Sequence, residues 1–434
     1  MALHGLGFRL GSLCILLCLG STLTWAEQKL RLAPGDYKQG YESADYQTDS
    51  LSLAMRKGKP AKLVAIAKGK QLGLPKLPSS KGMRPDRNKI ALGRKLFYDR
   101  RLSRNKTMSC AMCHVPEQGF TSNELQRPIG SNGRSLKRNA PTILNVAFYT
   151  KLFADSRETT LEQQIWSPLL AENEMNNPSV GYVIETIKSL SDYDGLFQKA
   201  FSEQPNMLNI GQAIGQYERA LLAGDSAFDR WYYAKDDSAL TDQQVAGFKL
   251  FTGKAACSSC HLIGENDALF TDNLLHSTGI GYAESMLDGV ILPKHANPEK
   301  GLVEVQLAPG VTANMKQSVI NTVGEQKMND VGRYEITLDP QDRWKYRTSS
   351  LRNIELTAPY MHSGGLVSLA DVVAFYNQGG VTHELQSPLV RPLGLSVDEQ
   401  GALRAFLRSL TGSGVGVLVL DAFDAGVGDT GGEL

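Results

Sequence analysis

Charge of one sign is what this chain most plainly lacks. Lysine and arginine number 46 against 45 aspartates and glutamates, so no uncompensated field is available to hold nucleic acid or an anionic membrane as the main partner. A long apolar run is missing too. The most apolar stretch, residues 10–19, is short for a membrane span, which takes about 20 residues, and no later segment is long and apolar enough to cross a bilayer. Lying behind Arg9 and ahead of Thr24-Trp25-Ala26, it reads as the core of a secretory signal, residues 1–26, cleaved before Glu27. An uncleaved anchor is the alternative. Cysteine is scarce: there are six, and two of them, Cys14 and Cys18, fall in that leader. The 434 residues, 42% of them hydrophobic, suffice for two or three domains with sizeable cores.

The four remaining cysteines occur in one pattern used twice: Cys110-Ala111-Met112-Cys113-His114 and Cys257-Ser258-Ser259-Cys260-His261. A lone C-x-x-C is a redox pair or half a zinc site. C-x-x-C-H is the attachment pattern of a c-type haem. The two thiols add across the haem vinyl groups, and the adjacent imidazole lies under the ring, where it can bind iron. A zinc site made from both pairs would leave each histidine unexplained. Cys110, Cys113 and His114 therefore read as one haem site and Cys257, Cys260 and His261 as a second. Such haems are attached outside the bacterial cytoplasm, which agrees with the leader and implies the periplasm.

The spacing of apolar residues predicts a mainly α-helical chain with long loops. Residues 90–97 and 245–251 each form a helix ahead of a haem motif, and both contain a Gly-x-Arg/Lys-Leu-Phe turn. That internal repeat implies two helical, cytochrome-c-like domains, with Thr241-Asp242-Gln243-Gln244 capping the second helix. Further helices are expected over 161–170, 180–190, 210–222, 366–376 and 396–410. The predicted organisation is an N-terminal extension over 27–85, with one helix inside 52–68, a first haem domain over 86–240 and a second over 241–411. Residues 263–346 should hold loops and short hairpins. Residues 412–434, rich in glycine, are expected to be a flexible tail.

The sixth position on each iron separates small-molecule binding from electron transfer. By spacing alone it could be filled by His276, His295, His362, His383, Met108, Met175, Met315, Met328 or Met361. Residues 88–411 resemble the bacterial di-haem cytochrome c peroxidases, a family that includes the MauG-type enzymes. The resemblance rests on Leu96-Phe97-Tyr98-Asp99, Arg101-Leu102-Ser103, Arg138-Asn139-Ala140-Pro141-Thr142, Tyr346-Arg347-Thr348, Ser350-Leu351-Arg352-Asn353 and Leu356-Thr357-Ala358-Pro359-Tyr360-Met361-His362. It implies that the N-terminal haem meets hydrogen peroxide and the C-terminal haem relays electrons. A calcium ion is then held between the domains by the Asn139 side chain and the Thr357 and Pro359 carbonyls.

The resemblance also assigns individual roles. Gln164, Pro168 and Glu174 match the family's peroxide pocket, with Glu174 as acid/base. The histidine that caps the peroxidatic haem in ordinary peroxidases is Ser131 here, which would leave that haem open. The second haem's distal ligand, methionine in the peroxidases and tyrosine in MauG, is Tyr376. Two tryptophans of the MauG electron route are missing, with Ala154 and Ala255 in their places. The resemblance thus implies an oxidoreductase that reduces peroxide and, through high-valent haems, oxidises a partner, in the first reading a protein residue. One alternative is a cytochrome c peroxidase fed by a small cytochrome or copper protein. A non-enzymatic di-haem electron carrier is the other.

Overall fold

The computed structural model describes residues 58–77, 84–286, 302–308, 311–316 and 330–425; the expected leader, residues 1–26, lies outside them. In chain order the helices are α1 (Leu63–Lys68), α2 (Arg87–Tyr98), α3 (Cys110–Cys113), α4 (Leu161–Gln164), α5 (Trp166–Leu170), α6 (Val180–Lys188), α7 (Leu196–Phe201), α8 (Met207–Arg219), α9 (Ala227–Tyr233), α10 (Asp242–Thr252), α11 (Ile280–Met286), α12 (Tyr334–Thr337), α13 (Leu369–Asn377), α14 (Val397–Arg408) and α15 (Val415–Phe423). Sheet is confined to two antiparallel pairs among the described residues. β1 (Leu275–His276) pairs with β4 (Tyr346–Arg347), and β2 (Leu302–Ala308) with β3 (Val311–Lys316). Both lie where loops and hairpins were expected.

The fold is mainly α, built around two hydrophobic cores that repeat one motif. In the first, α2 crosses α8 at Gly93, where an added methyl would collide with the Ala213 carbonyl and reach within 3.0 Å of Ile214 N. In the second, α10 crosses α14 at Gly247, where a methyl would sit 2.6 Å from the Ala402 carbonyl carbon and 2.8 Å from Phe406 Cβ. Only glycine permits so close a helix approach. The Leu-Phe step after each glycine then buries Phe97 and Phe251 beside the following haem motif. Asp86 caps α2 by accepting from Asn88 N and Lys89 N. Thr241 and Gln244 form the reciprocal cap of α10, as expected.

The packing differs from the sequence expectation in several places. The single helix expected over 161–170 is two, α4 and α5, joined at Ile165; Pro168 has no N–H to give to the ladder. Residues just before 241, in the span expected for the first haem domain, pack with the second core. Phe228 on α9 packs against Phe248, Phe270 and Phe406 at 5.7, 5.2 and 5.7 Å between ring centres, so α9 belongs with the second core. The extension does more than wrap the first domain: Leu63 and Ala67 enter the first core, while the Gly73 carbonyl accepts from Arg352 across the molecule. The expected flexible tail begins as helix α15, which returns Leu418 and Ala422 to the first core. Its apolar run Val417-Leu418-Val419-Leu420 outweighs the flanking glycines.

Charged residues join the two lobes. Arg138 binds Asp155 at 2.5 Å and Asp330 at 2.6 and 2.8 Å, and Arg333 donates to the carbonyls of Asp155 and Ser156. Within the second lobe, Arg352 makes a two-pronged pair with Asp229 on α9, both bonds 2.9 Å, with both side chains out of solvent.

Candidate haem sites

Each motif follows its Leu-Phe helix and presents its histidine in the same way. His114 Nδ1 lies 3.3 Å from the Phe120 carbonyl, and His261 Nδ1 lies 2.8 Å from the Phe270 carbonyl. A carbonyl only accepts, so Nδ1 carries the proton and Nε2 keeps a free lone pair, which is how an iron-ligating imidazole is oriented. Phe120 and Phe270 both sit at positive φ, 57° and 52°, which turns each carbonyl back toward its histidine. Phe97 and Phe251 each stand 6.5 Å from their histidine ring. Burial lowers both imidazoles, outweighing the carbonyl bonds, so both are neutral and competent as ligands. The four cysteines form no disulfide, and burial pushes the Cys113 and Cys257 thiols up to about 12. Paired thiols, a neutral imidazole and an apolar surround fit a covalently held haem at each motif.

Helices α4 and α5 pack in the same core as the first motif. Gln164 ends α4 and Pro168 lies inside α5. The Pro168 carbonyl accepts from Met175 N at 3.0 Å, folding the loop so that Glu174 turns inward. Burial raises the Glu174 carboxyl, with Arg157 opposing, and its charge is felt at Cys113 and Cys110. Ser131 N donates to the Glu174 carbonyl at 2.9 Å, and the Ser131 hydroxyl is buried without a hydrogen-bond partner. One group escaped the sequence reading. Glu218 on α8 is buried, one carboxylate oxygen has no partner, and its charge reaches Cys110. Burial raises it to about 8, against the pull of Arg219. Only the 3.6-residue phase of α8 toward the motif could have marked it, and a glutamate there looks like any helix-surface charge.

Tyr376 on α13 faces the second motif. Burial raises its phenol, and the Cys257 and Cys260 thiols raise it further. The other sixth-ligand candidates are otherwise engaged. His276 binds Asp272 at 2.8 Å, His362 stacks on Tyr346 at 3.7 Å, and His383 stacks on Tyr282 at 4.8 Å. Met108 and Met175 are packed in the first core and Met361 against the second. His295 and Met328 lie outside the described residues, as does the Met315 side chain. For the expected cation, Asn139 Nδ2 meets the Pro359 carbonyl at 2.6 Å while Asn139 Oδ1 is buried and unpartnered. Thr357 stands two residues before Pro359 on the same loop. An orphaned amide oxygen beside a main-chain carbonyl suits a hard, oxygen-seeking ion.

Two helical units of cytochrome c type, each presenting a Cys-Cys-His haem site, define a di-haem c-type oxidoreductase. Comparison with known proteins narrows this. The sequence model of the di-haem cytochrome c peroxidase family matches residues 87–238. The chain is 34% identical over 358 residues to cytochrome-c peroxidase IdrP2 of Denitromonas iodatirespirans, covering 82% of this chain and 89% of that protein. It is 33% identical over 335 residues to methylamine utilization protein MauG of Methylorubrum extorquens, covering 77% and 80%. Among solved structures, a MauG-like protein associated with microbial copper homeostasis aligns with a TM-score of 0.62 and 30% identity, covering 80% of this chain and 97% of that one. The chain belongs to the di-haem cytochrome c peroxidase family, and the family's two c-type haems match the two motifs. Among the described residues no helix is long and apolar enough to cross a membrane.

Proposed function

We propose that this is a periplasmic di-haem enzyme of the MauG-like kind, which reduces hydrogen peroxide and takes the electrons from a partner protein. The observation that carries this is the Tyr376 phenol set against Cys257 and Cys260. An oxygen donor there favours the oxidised states of iron over the reduced one, whereas a methionine thioether does the reverse. When bound, the haems supply peroxide binding at the first site and storage of oxidising equivalents over both.

The chain's own groups do the rest. His114 and His261 would hold the two haem irons through Nε2, with their Nδ1–H fixed to the Phe120 and Phe270 carbonyls. Ser131 leaves the first site open, because a serine hydroxyl is a poor ligand. Glu174, whose carboxyl is raised by burial, would serve as the acid/base that accepts and returns a proton beside bound peroxide, with Gln164 and Pro168 shaping the pocket. Asn139, with the Thr357 and Pro359 carbonyls, holds a calcium ion between the lobes, supported by the unpartnered Asn139 Oδ1.

The second reading is a cytochrome c peroxidase fed by a small cytochrome or copper protein. It is favoured by relatives of that name at 34% identity. Spectra before and after one equivalent of peroxide separate the two. The MauG-like reading predicts one high-spin haem, one low-spin haem that is lost in Tyr376→Phe, and a long-lived oxidised state. Glu174→Gln should slow the peroxide reaction about 100-fold. An unchanged low-spin signal in Tyr376→Phe, or rapid turnover with a reduced carrier, would reverse the choice.

A further inference from the structure

Ala255, two residues before the second haem motif, is buried in the second core. Beside it lies a dense array of rings. From His261 the steps are 6.5 Å to Phe251, 5.1 Å on to Phe406, 5.5 Å to Phe248 and 5.2 Å to Trp231. Phe228 and Phe270 provide a second edge, at 5.2 Å from each other and 6.3 Å from Trp231 on the Phe228 side. The array ends in Trp231-Tyr232-Tyr233 on α9, all three half-buried, so that the outer edge reaches solvent.

Only tryptophan and tyrosine among these rings can be oxidised at potentials a haem reaches; the phenylalanines serve as a tightly packed bridge. Loss of an electron from a phenol requires a proton acceptor. Tyr233 donates to the Gly264 carbonyl at 3.1 Å, which cannot take a proton. The Lys235 ammonium lies 5.3 Å from the Tyr232 ring centre and opposes a further positive charge there. An indole can lose an electron without losing a proton. The other described tryptophans, Trp166 and Trp344, are buried.

We propose that Trp231 is the station through which oxidising equivalents leave the second lobe. This rests on the reaction proposed above. Reduction of one peroxide to two waters takes two electrons and two protons. Trp231 passes one electron toward His261 and becomes the indole cation radical. It then takes one electron from the partner and is neutral again; two such cycles complete the reduction, and no atom is transferred.

The test uses the full chain with both haems, one equivalent of peroxide and no partner. Radical sites are captured with a nitroso spin trap and mapped by peptide mass spectrometry. Decay of the peroxide-induced spectrum is timed with ferrocyanide as external donor. In the unaltered protein the adduct should fall on Trp231. Trp231→Phe should lose that adduct and slow the decay at least tenfold, with the spectrum forming at the same rate. Phe248→Leu, which keeps the indole but opens the bridge, should slow decay in the same direction. If the spectrum forms and decays identically in both variants, or the adduct maps elsewhere, this inference is overturned alone. If peroxide changes no spectrum in the unaltered protein, the proposed function fails and takes the inference with it.

Discussion

Replacing Gly247 by alanine should destabilise the second lobe, although alanine is the better helix former. On helix propensity alone the change gains about 1 kcal/mol. Against this, the new methyl would sit 2.6 Å from the Ala402 carbonyl carbon and 2.8 Å from Phe406 Cβ, where carbon contacts favour about 3.5–4.0 Å. The helices α10 and α14 must part by about 1 Å to restore that spacing. Parting them loosens Phe251 and Phe406, both fully buried, and overpacking this tight costs about 3 kcal/mol, the upper end of its usual range. A net loss of about 2 kcal/mol lowers the unfolding midpoint by about 4–8 °C for a unit this size. Gly401, next to Ala402 on α14, is the control. A methyl there meets nothing closer than 3.8 Å, so Gly401→Ala should raise the midpoint by about 2–4 °C. Thermal unfolding of the haem-loaded protein, followed by circular dichroism and haem absorbance, reads both. A Gly247→Ala protein as stable as its parent, or two variants that shift together, would refute the helix-crossing argument.

Arg352→Met leaves the buried Asp229 carboxylate without its partner and should cost about 3–5 kcal/mol in urea unfolding. The double change Arg352→Met with Asp229→Asn should recover part of that loss. Asp330 gives the pH prediction. Burial works to raise its carboxyl, but the Arg138 hydrogen bonds and charge outweigh it and hold it well below the usual range. A carboxylate depressed on folding contributes stability that is complete above its unfolded value, about 4, and is lost as pH falls below it. The stability gap between the parent and Asp330→Asn, measured by denaturant titration from pH 7 to pH 2, should therefore narrow below pH 4; a constant gap would contradict the assignment.

The haem positions were legible in the chain itself, because covalent attachment needs Cys-x-x-Cys-His contiguous in sequence. So was the helical class: apolar residues at helical spacing and a repeated Gly-x-Arg/Lys-Leu-Phe turn are local signals, and the Thr241 cap was read from four residues. Resemblance to a family supplied Glu174 and Tyr376, which spacing alone would have left as a loop charge and a packed helix residue. Other features depend on chain segments far apart in sequence. The sequence could not show that Gly93 meets Ala213 and Gly247 meets Ala402, that Asn139 reaches Pro359, or that α9 joins the second core. Nor could it show that the segment after residue 411 folds back as α15 onto the first core, since composition there pointed to a tail and only packing decides. The same holds for Glu218 and for the ring array ending at Trp231. A buried carboxylate and a surface one are spelled alike, and aromatic side chains become a path only when folding stacks them within about 6 Å.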